Sequence, residues 1–265
     1  MDDVFAKFKA AQKTNWVSFA PLQAITTRAA SRLVRHAGVK AGQRVLDVGC
    51  GTGVVAITAA RAGARVTGLD LTPELLTVAR ENSAIAGLDI DWHEGDVEKL
   101  PFDASTFDVV VSQFGHMFAP RPELAIAEML RVLKPGGTIA FSTWPPELLI
   151  GRIFALSAKY LPPAPDGVSP PPLWGDPGIV RQRFGDAVRD VFFDRARMES
   201  PALSLAHFRG LFEQNSGPVR KFIETNANEP EKIAAFRREF EAIAADYFDD
   251  NAIRQDFLMT RAIKQ

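Results

Sequence analysis

Apolar residues in the first half of the chain fall into two alternating kinds of run. Short stretches at residues 45–48, 65–69, 90–93, 107–111 and 137–143 are bounded by glycine or polar residues, which suits buried strands. Between them the period changes to that of a helix. Over residues 21–38, Leu22, Ile25, Ala29 and Leu33 lie near one face and Gly38 stops the pattern. Val54-Val55-Ala56-Ile57 opens another helix. Thr72 can cap a third with Pro73 at its first position, after which Leu75, Val78, Ala79, Asn82 and Ala86 share a face up to Gly87. Residues 122–134 place Ile126, Met129, Leu130 and Leu133 at i, i+3, i+4 and i+7, and Pro135-Gly136-Gly137 ends the run. Strands alternating with helices predict an α/β fold with a doubly wound, mainly parallel sheet and a ligand crevice at the carboxyl ends of its strands.

Beyond Trp144 the alternation breaks. Residues 161–172 hold too many prolines for an internal strand or helix and predict a surface loop or lid. An apolar helix over 150–160 precedes it, and Asp176 is placed to cap a short helix after it. Strands are expected at 191–198 and 256–263, around a helix that buries Ile233, Phe236, Phe240, Ile243 and Tyr247.

Composition narrows the classes of partner. Thirty-one basic and thirty-two acidic residues leave a net charge of −1, no electrostatic footprint for a long polyanion, so a nucleic-acid substrate is disfavoured. The first residues lack the basic segment and apolar stretch of a signal peptide, and no run is long enough to span a bilayer; the expectation is a cytoplasmic protein. The single cysteine, Cys50, excludes an internal disulfide and reads as a small filler. His36, His93 and His207 belong to no Cys/His cluster, so no metal is expected.

Candidate chemistry concentrates after the first strand. Val45-Leu46-Asp47-Val48 runs into Gly49-Cys50-Gly51-Thr52-Gly53, a turn whose glycines let a ligand approach the backbone, and the second strand delivers Asp70 to the same sheet edge. A carboxylate there can accept hydrogen bonds from both hydroxyls of a ribose. The spacing is G-x-G-x-G, not the G-x-G-x-x-G of a dinucleotide loop, and Asp47 would repel a pyrophosphate. An acidic loop suits a ligand with a cationic end.

In these residues the chain resembles the class I S-adenosylmethionine-dependent methyltransferases, whose first motif has the form of Leu46 to Gly53. The resemblance continues in order through Glu94-Gly95-Asp96-Val97, Phe107-Asp108-Val109-Val110-Val111 and Leu130 to Gly137, and covers residues 40–145. Within the family it is most similar to the small-molecule branch that includes the ubiquinone and menaquinone biosynthesis methyltransferases. The resemblance implies S-adenosyl-L-methionine as cofactor and a seven-stranded sheet closed by the two late strands. It assigns cofactor contacts to Asp47, Gly49, Gly51, Gly53, Asp70, Leu71, Asp96, Val97 and Gln113, with Asp47 orienting the methionine ammonium and Asp96 beside the adenine. Residues 112–118 would face the transferred methyl, which makes His116 a candidate base; a structural histidine is the competing reading. That segment lacks the Asn/Asp-Pro-Pro-aromatic motif of amide and base N-methyltransferases, so the implied acceptor is a small molecule methylated at O, N or C. Trp16 and Phe19 would belong to an N-terminal lid. One domain over 1–265 is expected, with a lid at 1–40, a cofactor core at 41–145 and substrate-side elaboration at 146–190 and 200–250. Two alternatives stay open: a noncatalytic S-adenosylmethionine-binding protein and a nicotinamide-dependent oxidoreductase. Neither oligomeric state nor the identity of the acceptor has a signature in the chain.

Overall fold

The computed structural model describes residues 2–265. Its centre is the predicted alternation: β1 (Arg44–Val48), α3 (Val54–Arg61), β2 (Arg65–Asp70), α4 (Pro73–Ile85), β3 (Asp91–Glu94), β4 (Phe107–Gln113), α5 (Pro122–Val132) and β5 (Leu133–Thr143). Two helices precede it, α1 (Asp2–Trp16) and α2 (Gln23–His36), joined by a 3-10 turn over Val17–Leu22. After it come α6 (Leu149–Tyr160), α7 (Pro177–Phe184), β6 (Val188–Pro201), α8 (Leu205–Asn215), α9 (Gly217–Thr225), α10 (Pro230–Ala245), β7 (Phe248–Asp249) and β8 (Ala252–Lys264).

The sheet order is β3-β2-β1-β4-β5-β8-β6. The first five strands pair in parallel, while β8 runs antiparallel between β5 and β6. Strand order reverses between β1 and β4, which opens a crevice at their carboxyl ends. Each central strand feeds two cores because alternate side chains point to opposite faces. Val45, Val109, Val111 and Ala140 pack under α2 and α3, whereas Leu46, Val48, Val110, Ile139 and Phe141 pack with α5, α6 and α7. Full burial of one such Val, Leu, Ile or Phe is worth about 1.5–3 kcal/mol, so two covered faces make this sheet the most stable part of the chain.

Three local expectations need correction. The helix expected over 122–134 ends at Val132, because Leu133 already pairs with Phe107 and Pro135-Gly136-Gly137 lies inside β5 at a register shift. Thr72 precedes α4 but makes no side-chain cap; its N–H instead donates to Asp70 Oδ1 at 2.9 Å. Beside the seven strands expected there is an eighth, β7, formed because Asp250 and Asn251 take left-handed φ of 46° and 57° and make a two-residue hairpin turn with Phe248 opposite Ile253. Asp176 caps α7 as expected, accepting from the N–H groups of Gly178 and Ile179. Helices α1, α8 and α9, which apolar periodicity did not mark, pack around the crevice. Among the described residues no helix is long and apolar enough to cross a membrane.

Candidate functional site

The loop between β1 and α3 is held open by its own backbone and by two carboxylates. Gly49 adopts φ +64°, and it meets Gly115 so closely that a Cβ on Gly115 would lie 2.4 Å from the Gly49 carbonyl oxygen. Only glycine at both positions allows that approach. Asp47 reaches across the loop, where its Oδ2 accepts from Ala56 N–H at 2.9 Å in the first turn of α3. Its Oδ1 is buried without a partner. Burial, and then the nearby Asp70 charge, push the Asp47 carboxyl up to about 8 against the pull of that hydrogen bond.

Asp70, at the end of β2, accepts from Gly51 N–H at 2.7 Å through Oδ2 and from Thr72 N–H through Oδ1. Burial raises its pKa and the backbone donors oppose the shift. Each oxygen keeps a second lone pair for a ligand hydroxyl. Asp96 follows the β3 loop: Oδ1 accepts from Glu98 N–H, and Oδ2 pairs with Lys9 of α1. Lys9 also pairs with the buried Glu98, which Arg121 grips from the other side. Gln113 Nε2 donates to the Thr26 carbonyl at 3.0 Å and leaves its Oε1 buried and unpartnered.

Of the residues expected to contact the cofactor, Gly49, Gly51, Asp70, Leu71, Asp96, Val97 and Gln113 line one cavity, which Trp16 and Phe19 also border. Asp47 lines a smaller recess beside it with Gly49, Gly51 and Gln113. Gly53 borders neither; at φ +84° it forms the N-cap of α3, and a Cβ there would lie 2.6 Å from the Trp92 ring. The recess and cavity present carboxylate and amide oxygens to a ligand and, at the glycine loop, no side-chain cation. Such a donor-seeking surface fits ribose hydroxyls, an ammonium and an exocyclic amine, and opposes a pyrophosphate.

His116 does not suit the role of a base. It is 1 % exposed, its ring packs 4.5 Å from Phe141 and 4.6 Å from Trp174, and both ring nitrogens lack partners. Burial, with a smaller push from Arg183, lowers its pKa to about 3, so at neutral pH it has almost no tendency to take a proton.

The cavity extends past the expected residues into an aromatic compartment. Phe114, at φ +60°, stacks on Trp144 at 4.0 Å and 9°, and Trp16 meets Phe118 edge-on at 4.5 Å. Phe154 of α6, Met198 of β6, Phe212 and Asn215 of α8, and Gln255 of β8 complete the lining. Trp16, Phe114 and Phe118 belong to segments expected at the site, but Lys9, Trp144, Phe154, Met198, Phe212, Asn215 and Gln255 were not singled out, because each looks like ordinary core or surface in its own segment. Gln255 alone left a signal: it interrupts the inward-facing series Ile253, Gln255, Phe257, all 3 % exposed or less. Among the described residues no group of three or more His, Cys, Asp or Glu is placed to hold a metal.

Known proteins are similar to this chain in sequence and fold. The family described as a methyltransferase domain matches residues 46–141. An uncharacterized protein of Mycobacterium tuberculosis H37Rv is 37% identical over 238 residues, 88% of this chain and 85% of its own. A ubiquinone biosynthesis O-methyltransferase of Nitrosococcus oceani is 40% identical over 126 residues, covering 47% of this chain and 53% of that one. The YcgJ protein of Bacillus subtilis superposes with a TM-score of 0.62 at 16% identity, over 90% of this chain and 98% of its own, which shows a shared fold.

Proposed function

Because the chain belongs to the class I S-adenosylmethionine-dependent methyltransferases, we propose that it methylates a small organic molecule held in the aromatic compartment, beside a cofactor seated on the glycine loop. The enzyme class and the cofactor follow from the family. The site residues and the acceptor are our reading. One observation carries it: a single cavity is lined both by the loop, Asp70 and Asp96 and by Phe154 of α6, Phe212 of α8, and Met198 and Gln255 of the late strands.

S-adenosylmethionine supplies an electrophilic methyl group on a sulfonium. Asp70 would accept from the ribose hydroxyls, Leu71 and Val97 would pack on the adenine, and Asp96 would take its exocyclic amine. Asp47 Oδ1 and Gln113 Oε1, both buried and unpartnered beside the glycine loop, would receive the donor groups of the methionine end. Gly49 and Gly51 would let that end approach the backbone. Residues 1–40 would act as the cover and residues beyond 145 as the acceptor wall. The acceptor is bound where aromatic walls exclude water, and alignment of donor and acceptor removes much of the barrier.

Calorimetric titration with S-adenosylmethionine, S-adenosylhomocysteine and NADH tests the assignment, with Asp70→Ala as control. Binding of both adenosyl ligands, lost in the variant, supports it. NADH binding in their place overturns it.

A further inference from the structure

The compartment built by α6, β6, α8 and β8 contains a buried polar side chain, Gln255, that borders the cavity. Gln255 is 3 % exposed and lies opposite Met198 across the β6–β8 pair. Its amide makes no hydrogen bond to any described residue. Asn215, by contrast, spends its Nδ2 on the Leu211 carbonyl. An unpaired buried carboxamide costs stability, and a ligand that pairs with it recovers that cost.

Equally informative is where charge is missing. The ionisable groups that line the cavity are Lys9 from α1, Asp70 from β2, Asp96 after β3 and His116 after β4; none comes from α6, β6, α8 or β8. Lys9 is committed to Asp96 and Glu98, Asp70 to two backbone amides, and His116 sits in its aromatic enclosure. Among the described residues no side chain lining this compartment is therefore available to remove a proton from an acceptor or to balance a charge on it. The one strong charge near the reacting atoms would be the sulfonium itself.

That electrostatic setting sorts acceptors by class. Methylation of a neutral amine would leave a positive charge among apolar walls, with nothing to take the amine proton. A phosphate monoester would bring two negative charges against one positive. A singly charged oxyanion cancels the sulfonium as it reacts, and removal of water favours such charge annihilation.

Resting on the function proposed above, we infer that the acceptor is a largely apolar molecule carrying one weakly acidic phenol or enol hydroxyl, which reacts as its oxyanion with the Gln255 amide donating to its oxygen functions. The hydroxyl proton passes to solvent on binding. A lone pair of the oxyanion then forms the O–CH3 bond while the C–S bond breaks, its electron pair stays on sulfur, and both charges disappear.

The test uses the whole protein and a panel of naphthols and hydroxycoumarins of graded acidity, with naphthylamine and naphthyl phosphate as controls. Cofactor binding is measured first and separately. Titration of the panel into protein loaded with a non-transferring, cationic amine analogue of S-adenosylmethionine, in two buffers of different ionisation heat, should show close to one proton released per phenol bound at a pH below that phenol's own acidity constant. With S-adenosylmethionine, the pH at which kcat/KM levels off should move with the acidity of the acceptor. Gln255→Leu should lower kcat/KM about ten- to a hundredfold with the cofactor Kd unchanged, and Gln255→Glu, which adds a negative charge, should lower it further. Naphthylamine methylated as fast as the naphthols, a pH inflection fixed across the panel, or no binding and no transfer with any hydroxyl compound on cofactor-loaded protein would each overturn the inference. Failure to bind S-adenosylmethionine at all would instead overturn the function on which it rests.

Discussion

Asp47 has one oxygen in use and one in reserve, and this governs how binding should depend on pH. Without a cation beside it the carboxyl is held up at about 8 by burial. A folded-state value above that of the unfolded chain means that Asp47 contributes stability below the ordinary carboxylate range, and that this contribution is lost as pH rises toward 8. A ligand ammonium at Oδ1 reverses the preference. Titration with S-adenosylmethionine at pH 7 should therefore release close to one proton, and affinity should rise with pH until about 8. Asp47→Asn should abolish the release and weaken binding about ten- to a hundredfold. Equal heats in buffers of different ionisation enthalpy would remove Asp47 from this role. His116 predicts the opposite slope. Its value is depressed to about 3, so its contribution is whole above the ordinary histidine range and is lost as pH falls from there toward 3. His116→Phe should flatten the acid side of the stability curve measured by denaturant unfolding. It should spare methyl transfer from the loss of about 10²–10⁴ that removal of a true general base causes.

At the scale of elements, α1 is fastened to the cofactor side by ion pairs and ring contacts. Lys9 ties it to Asp96 and Glu98, Lys13 pairs with Glu94, Phe5 packs under Arg121, and Trp16, at its end, leans on Phe118. Glu98 keeps its Arg121 pairing when Lys9 is replaced, so Lys9→Met should loosen α1 and leave the sheet intact. Hydrogen exchange should quicken in α1 and stay slow in β1 and β4; unchanged exchange in α1 would mean that its remaining contacts hold it without Lys9. These elements also mark the limit of what the chain discloses. The turn at Gly49 to Gly53, Asp70 and the strand-helix alternation were legible because their spacing is local and each glycine or carboxylate answers a nearby backbone need. Phe154, Met198, Phe212 and Gln255 were not, since they share a surface only after distant segments converge. The end of α5 was misplaced because Leu133 follows its strand partner Phe107 and not its helical period.

For the whole molecule, the position of β8 matters most. It lies between β5 and β6, pairing with β6 along most of its length and with β5 from Leu258 to Ile263. Removal of residues 252–265 should therefore abolish cooperative thermal unfolding as followed by circular dichroism, whereas removal of residues 1–16 should preserve it. A cooperative transition in the first truncation would show that the parallel strands stand alone. At the sheet's outer margin β6 carries Arg189, Asp190, Asp194, Arg195, Arg197 and Glu199, charges that discourage pairing with another chain.

The internal place of β8 has a consequence for synthesis. A ribosome delivers the chain from its amino end, so the segment that seals the flank of β5 leaves the exit tunnel only after all five parallel strands have done so. Until then a nascent cofactor half waits with an uncovered strand edge, and it is during this interval, not in the finished protein, that the chain is most exposed to aggregation and most dependent on chaperones.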